Sequence, residues 1–280
     1  MNKMNKYLNY LAACLLALAA LSSCNDNNEP DEQNPVLTPF AEHILGRWLM
    51  LERAYMEQGE WVAADLDGDR EIVTFRPDGT MLGVYATSKN RTNLTLLDWS
   101  DVNEGDCTFT SAGFRYRLLR LTEDEKEVVT VETPEGRRPY KEIYRRIDNE
   151  PLTDAERVVG RWTLARRYEW VNDRVDDHWV EVTEGLPAEH WCEYTEAGTY
   201  TTYTRLPGGE EQQSEATRWM LYEDEGVVVY GDWVDPSYFQ ISLEADYTRM
   251  VMYHSVGYDP KLDFDEQANT VYMDILTRNK

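Results

Sequence analysis

The chain has 280 residues, with 52 Asp plus Glu against 28 Lys plus Arg, a formal charge of -24 at pH 7 and an aromatic fraction of 12%. That acidity argues against nucleic-acid binding, which needs a basic surface, and the aromatic content argues against a wholly disordered chain. A mean hydropathy of -0.63 argues against a multi-span membrane protein, and the length allows one or two domains.

The N-terminus is the first distinct element. Met1–Lys6 carries two lysines and no acid, and Tyr7–Ala20 is a mostly apolar run too short to cross a bilayer. Small residues follow at Leu21-Ser22-Ser23, and then Cys24. This order of charged, apolar and small-residue regions predicts a secretory signal over residues 1–23. The Cys after the small residues resembles a bacterial lipobox, which implies cleavage before Cys24 and lipid attachment to it. The mature chain of 257 residues then loses Lys3 and Lys6 but no acid, and its charge becomes -26. Residues 24–37, rich in Asn, Asp, Glu and Pro, form a lipidated flexible tether. Its acidity also resembles the surface-export signal of Bacteroidota lipoproteins, so the anchored protein is placed in the cell envelope as an outer-membrane lipoprotein, on the periplasmic side or the cell surface.

The next feature is an internal repeat. His43-Ile44-Leu45-Gly46-Arg47-Trp48 is matched 114 residues later by Arg157-Val158-Val159-Gly160-Arg161-Trp162. Thr38-Pro39 before the first copy predicts an N-cap followed by a helical proline. Thr153-Asp154-Ala155-Glu156 before the second predicts a capping box. Later landmarks correspond as well: Asp78-Gly79-Thr80 with Ala197-Gly198-Thr199, the acidic turns Glu123-Asp124-Glu125 and Glu223-Asp224-Glu225, and the closing strands ending at Arg146 and Arg278. Within each copy the apolar period is two, as in Phe114, Tyr116 and Leu118, or Val271, Met273 and Ile275. Turn residues recur at the spacing of short antiparallel strands. The expectation is an all-β chain of two small antiparallel barrels, over residues 38–149 and 150–280, each with about eight strands and preceded by a short helical turn.

The Gly-x-Trp openings at Gly46-Arg47-Trp48 and Gly160-Arg161-Trp162, with Arg146 and Arg278 on the last strands, resemble a lipocalin. More specifically, they resemble the lipocalin-like lipoproteins of Bacteroidota, with two copies in tandem. The resemblance implies that Trp48 and Trp162 plug the closed barrel ends and that Arg146 and Arg278 lie across their rings. The later Thr-Asp-Tyr signature of secreted lipocalins is not present.

Asp65-Leu66-Asp67-Gly68-Asp69 suggests calcium, but its Gly is fourth and Arg76 is twelfth, against the sixth and twelfth positions that an EF-hand needs. An acidic hairpin loop is the better account. His190 and Cys192 have zinc-like spacing without two further ligands, so no metal and no cofactor is expected. From Arg137 to Arg167 there are nine basic residues against five acids. They suit either an anionic ligand or arginines paired with acids and tryptophans, and the second fits arginine better. Trp170, Trp179, Trp191 and Tyr203 are the aromatic residues proposed to meet a ligand. No nucleophile elbow, P-loop, zinc-protease or dinucleotide motif occurs, so an enzyme is not expected. The leading expectation is non-catalytic binding of a small apolar or glycan ligand in the second barrel. The alternatives are a structural or accessory subunit of an envelope complex with no ligand, and, third, a glycan hydrolase.

Overall fold

A computed structural model describes residues 39–87, 91–172, 177–222, 227–230, 237–256 and 270–278. The signal, the whole tether with the lipidation residue Cys24, Thr38 and the acidic turn at 223–225 lie outside the described residues. In the first half the elements are α1 (Phe40–His43), β1 (Gly46–Glu57), β2 (Glu60–Ala63), β3 (Arg70–Phe75), β4 (Thr80–Ala86), β5 (Arg91–Asn103), β6 (Thr108–Ser111), β7 (Phe114–Leu121), β8 (Glu125–Glu132) and β9 (Tyr140–Arg146). The second half continues with α2 (Asp154–Val158), β10 (Gly160–Asn172), β11 (Asp177–Glu181), β12 (Glu189–Tyr194), β13 (Thr199–Arg205), β14 (Glu211–Gln213), β15 (Thr217–Tyr222), β16 (Val227–Tyr230), β17 (Ser237–Leu243), β18 (Arg249–Val256) and β19 (Thr270–Arg278). The protein is all-β apart from these short helical turns, and its strands build a closed antiparallel barrel with extra strands.

Two compact units emerge. One comprises residues up to Leu66, Val73–Met81 and Asp98–Asp148, and the other Asp67–Ile72, Leu82–Leu97 and Asn149 onward. In the first, β1 pairs with β9, and the ladder continues β9–β8–β7–β6 and on to the last turn of β5. Strand β2 folds back on β1 as a hairpin. The core is aromatic: Phe75, Trp99 and Phe109 meet edge to face, Phe109 stacks on Tyr116, and Phe114 and Tyr116 both reach Tyr140. Such offset and T-shaped contacts are the favoured geometries for rings.

In the second unit the ladder closes on itself. Strand β10 pairs with β12, which pairs with β13, and the order runs on through β15, β16, β17, β18 and β19 back to β10. This is an eight-strand antiparallel ring, with β11 and β14 added as short hairpin partners. Eight strands enclose an interior that side chains fill or that holds one small ligand.

The helical turns differ in how they are capped. Thr153 and Glu156 form the reciprocal capping box expected from their spacing. The first turn has Pro39 at its N-cap and no side-chain cap of its own. Its leading N–H groups are met by a distant carboxylate instead: Phe40 and Ala41 donate to Glu104 at 2.8 and 3.0 Å. A proline has no side-chain acceptor, so the orphan donors of the helix end need an outside partner.

Candidate functional site

Each repeat copy assembles its Gly, Trp and Arg in one place. In the first unit Trp48 is fully buried, and its indole N–H donates to Ile44 O at 2.7 Å. Arg146 lies 4.2 Å over that ring and donates to Leu45 O and His43 O. In the second unit Trp162 is equally buried and donates to Val158 O at 2.7 Å. Arg278 lies 4.7 Å over it and donates to Val159 O at 2.8 Å. Gly46 and Gly160 sit at φ of 115° and 133°, a region that side chains avoid. At Gly46 a Cβ would stand 2.5 Å from Asp148 Oδ1 and 2.8 Å from Arg146 Nη1.

The same register places a second matched pair deeper on the inner face. In both copies the first strand slips by one residue against the last, between Met50 and Glu52 and between Leu164 and Arg166. That bulge turns the next residue inward, so Arg53 faces Glu142 and Arg167 faces Asp274. Glu142 and Asp274 are each only 3% exposed. Arg53 Nε donates to Glu142 Oε1 at 2.6 Å. Arg167 grips Asp274 with both Nε and Nη2, each at 2.6 Å, the fork geometry that makes arginine the strong partner of carboxylates.

Around these pairs the two copies diverge. In the first unit Tyr144 donates to Glu142 Oε2 at 2.6 Å. Lys126, 2% exposed, packs its ammonium 3.9, 4.4 and 5.3 Å over the rings of Tyr144, Phe75 and Trp48. On the same strand as Glu142, Tyr140 meets Tyr116, their hydroxyls 2.6 Å apart. Burial, reinforced by Glu142, pushes the Tyr140 phenol far above its ordinary range.

In the second unit the place of Lys126 on the strand is taken by Met250, that of Thr130 by His254 and that of Tyr144 by Leu276. His254 Nε2 lies 3.0 Å from Asp274 Oδ2. Burial alone would raise Asp274, but hydrogen bonds from Arg167 and His254 and the guanidinium charge hold its carboxyl below its ordinary value. From β12, His190 Nδ1 lies 3.0 Å from Thr204 Oγ1. Burial and the Arg167 charge lower its pKa. Cys192, two residues on along the same face, has its thiol pushed up to about 12 by burial and by Asp274. Ile241, Met252 and Leu276 supply buried apolar surface on that face. The outcome is a polar cluster of Arg167, Asp274, His254, His190 and Thr204 on the interior of a closed ring. Periodicity gave no sign of it, because Arg167 and Asp274 carry the marks of solvent-facing residues.

The four aromatic residues expected to meet a ligand fall into two separate groups, both on the face opposite Asp274. Trp170 and Trp179 pair across β10 and β11 with ring centroids 5.0 Å apart, and Trp179 reaches Tyr253. Trp191 stacks on Tyr203 at 5.1 Å and 4°, with Arg161 4.2 Å over its ring, and it is 5% exposed. The basic run is largely taken up in partnerships within the units: Arg138 with Glu57, Lys141 with Glu127, Arg157 with Asp154, and Arg167 with Asp274. Asp67 and Gly68 turn the acidic loop through positive φ. Among the described residues no three His, Cys, Asp or Glu side chains group to hold a metal ion.

No protein-family model matches the chain, and no curated protein does. Among solved structures, one that aligns is a "putative outer membrane protein" of Bacteroides fragilis NCTC 9343. It is 7% identical, covering 85% of this chain and 99% of that one, with a TM-score of 0.24. A likeness of that size carries no argument about fold or function.

Proposed function

We propose that the chain is an exported, lipid-anchored protein of the outer membrane that carries two lipocalin-like barrels in tandem. The first barrel is a filled scaffold and the second binds a small ligand without chemistry. The observation that carries this reading is the contrast at matched register positions. Where one copy has a ring-caged Lys126, Thr130 and a Tyr144 bonded to its buried acid, the other has Met250, His254 and the smaller Leu276, with His190 near its own Arg–acid pair. A buried polar cluster is costly unless it is satisfied, and small-molecule sites combine apolar walls with a few convergent polar groups. The ligand therefore enters the inner face of the second ring, and the outer-face Trp170, Trp179, Trp191 and Tyr203 serve packing.

The test is native mass spectrometry of the protein purified from its own envelope. A small molecule should accompany the wild type and be lost from Met252→Trp, which fills the inner face, provided that variant keeps its β-sheet circular dichroism. Ligand-free protein in both samples would favour the accessory-subunit reading instead.

A further inference from the structure

The inner cluster also says what kind of ligand head it receives. Asp274 has its charge matched in place: both oxygens accept from Arg167, and Oδ2 also accepts from His254. The pair sums to zero. His190 is held toward its neutral form by burial and by Arg167, and the Cys192 thiol stays protonated. The Arg167–Asp274 pair therefore offers no uncompensated charge to a charged ligand, and a buried ion without a counter-ion is strongly disfavoured. Its hydrogen-bonding capacity is another matter. A carboxylate only accepts, so His254 uses its Nε2–H on Asp274, and Nδ1 lies on the other side of the ring. The second nitrogen of His190 and Nη1 of Arg167 stand outside the bonds to Thr204 and Asp274. Arg167 is 22% exposed and His254 12%, so this edge of the cluster is not sealed. Phe239 and Tyr272 flank the His254 ring at 5.8 and 5.6 Å.

We infer that the cluster of Arg167, His254, His190 and Asp274 is the head-group end of the second ring's site, and that it takes an uncharged head able both to donate and to accept, a hydroxyl or an amide, in preference to a carboxylate or an ammonium. This rests on reading the second ring as a binding barrel. Arg167 orients His254 through Asp274 and presents Nη1 at the same edge, and His254 and His190 touch the ligand.

The experiment titrates the full mature protein calorimetrically with four probes sharing one apolar body: naphthylmethanol, naphthamide, naphthoate and naphthylmethylammonium. Work at about pH 8 keeps ordinary histidines neutral. The alcohol and amide should bind at least about tenfold tighter than either ion, the penalty for an unpaired buried charge. His254→Phe should erase that preference by weakening the neutral heads. If that variant fails to fold, His190→Phe serves in its place with the same expectation. Naphthoate binding as tightly as the alcohol overturns the head-group assignment and leaves the binding barrel standing. Binding of none of the four overturns the barrel reading itself.

Discussion

Arg167 and Asp274 bury opposite charges together, and the cost of parting them sets the clearest residue-scale expectation. Removing the guanidinium alone leaves a carboxylate that is 3% exposed without its main partner. Arg167→Met should therefore lose about 3–5 kcal/mol in urea unfolding, while Arg167→Met with Asp274→Leu recovers most of it. Full stability in the single variant would show the pair to be energetically idle. The pH dependence follows from the same cluster. Asp274 is held below its ordinary 3.8 in the folded state, so its contribution is present above 3.8 and drains away as the pH falls below it. His190 is lowered from 6.5, so the unfolded chain takes up its proton first, and stability begins to fall as the pH drops below 6.5. Cys192 acts at the other end. Its thiol is raised from 9.0 to about 12, and its contribution is lost as the pH rises across that span. Urea midpoints measured from acid to alkali should peak between 6.5 and 9.0 and fall on either side. His190→Gln should remove the part of the decline that starts near neutrality.

At the scale of the element, the turn entering each first strand is the most demanding piece of backbone. Gly46 and Gly160 both lie at positive φ, but only at Gly46 does an added Cβ collide with Asp148 and Arg146, the nearest atom at Gly160 being 3.7 Å away. Gly46→Ala should accordingly lower the melting temperature more than Gly160→Ala, and both should be destabilising, since each is strained by its backbone angle. Equal losses would mean that only the angle matters. The Gly, Trp and Arg of these elements were legible in the sequence because the repeat displays them twice and their roles are local: the indole bonds back four residues, to Ile44 and Val158. The capping box at Thr153 was legible for the same reason. The cap on the first turn was not, because Glu104 comes from 64 residues away. The inward turn of Arg53 and Arg167 was hidden by the bulges, and that of Glu142 and Asp274 by their charge. Strict alternation along β19 groups Val271, Met273 and Ile275 as the apolar side, yet Asp274 on the other side is among the most buried residues of the strand. A one-residue slip in pairing decides which side chains face in, and no composition rule announces where a slip occurs. The aromatic residues chosen as ligand contacts illustrate the converse. Trp191 and Tyr203 are conspicuous by type, but their rings are stacked on each other.

For the whole molecule, the proposed anchor and the charge give separate expectations. Cys24→Ser should move the protein from the detergent-extracted membrane fraction to the soluble fraction and abolish metabolic labelling with fatty acid. Continued membrane retention of that variant would contradict anchoring through Cys24. A chain at -24 repels itself, and dissolved salt screens that repulsion over about 10 Å at 0.1 M. The proposed function requires that the second ring hold a ligand on its inner face and that the first unit be filled. The methionines report on both, with Met252 buried in the second ring and Met50 and Met81 buried elsewhere. The most direct measurement is methyl-methionine NMR of the full mature protein titrated with naphthylmethanol. A saturating shift and intermolecular contacts are expected at Met252, with Met50 and Met81 unmoved. A response at Met50, or none at Met252, would contradict the proposed function.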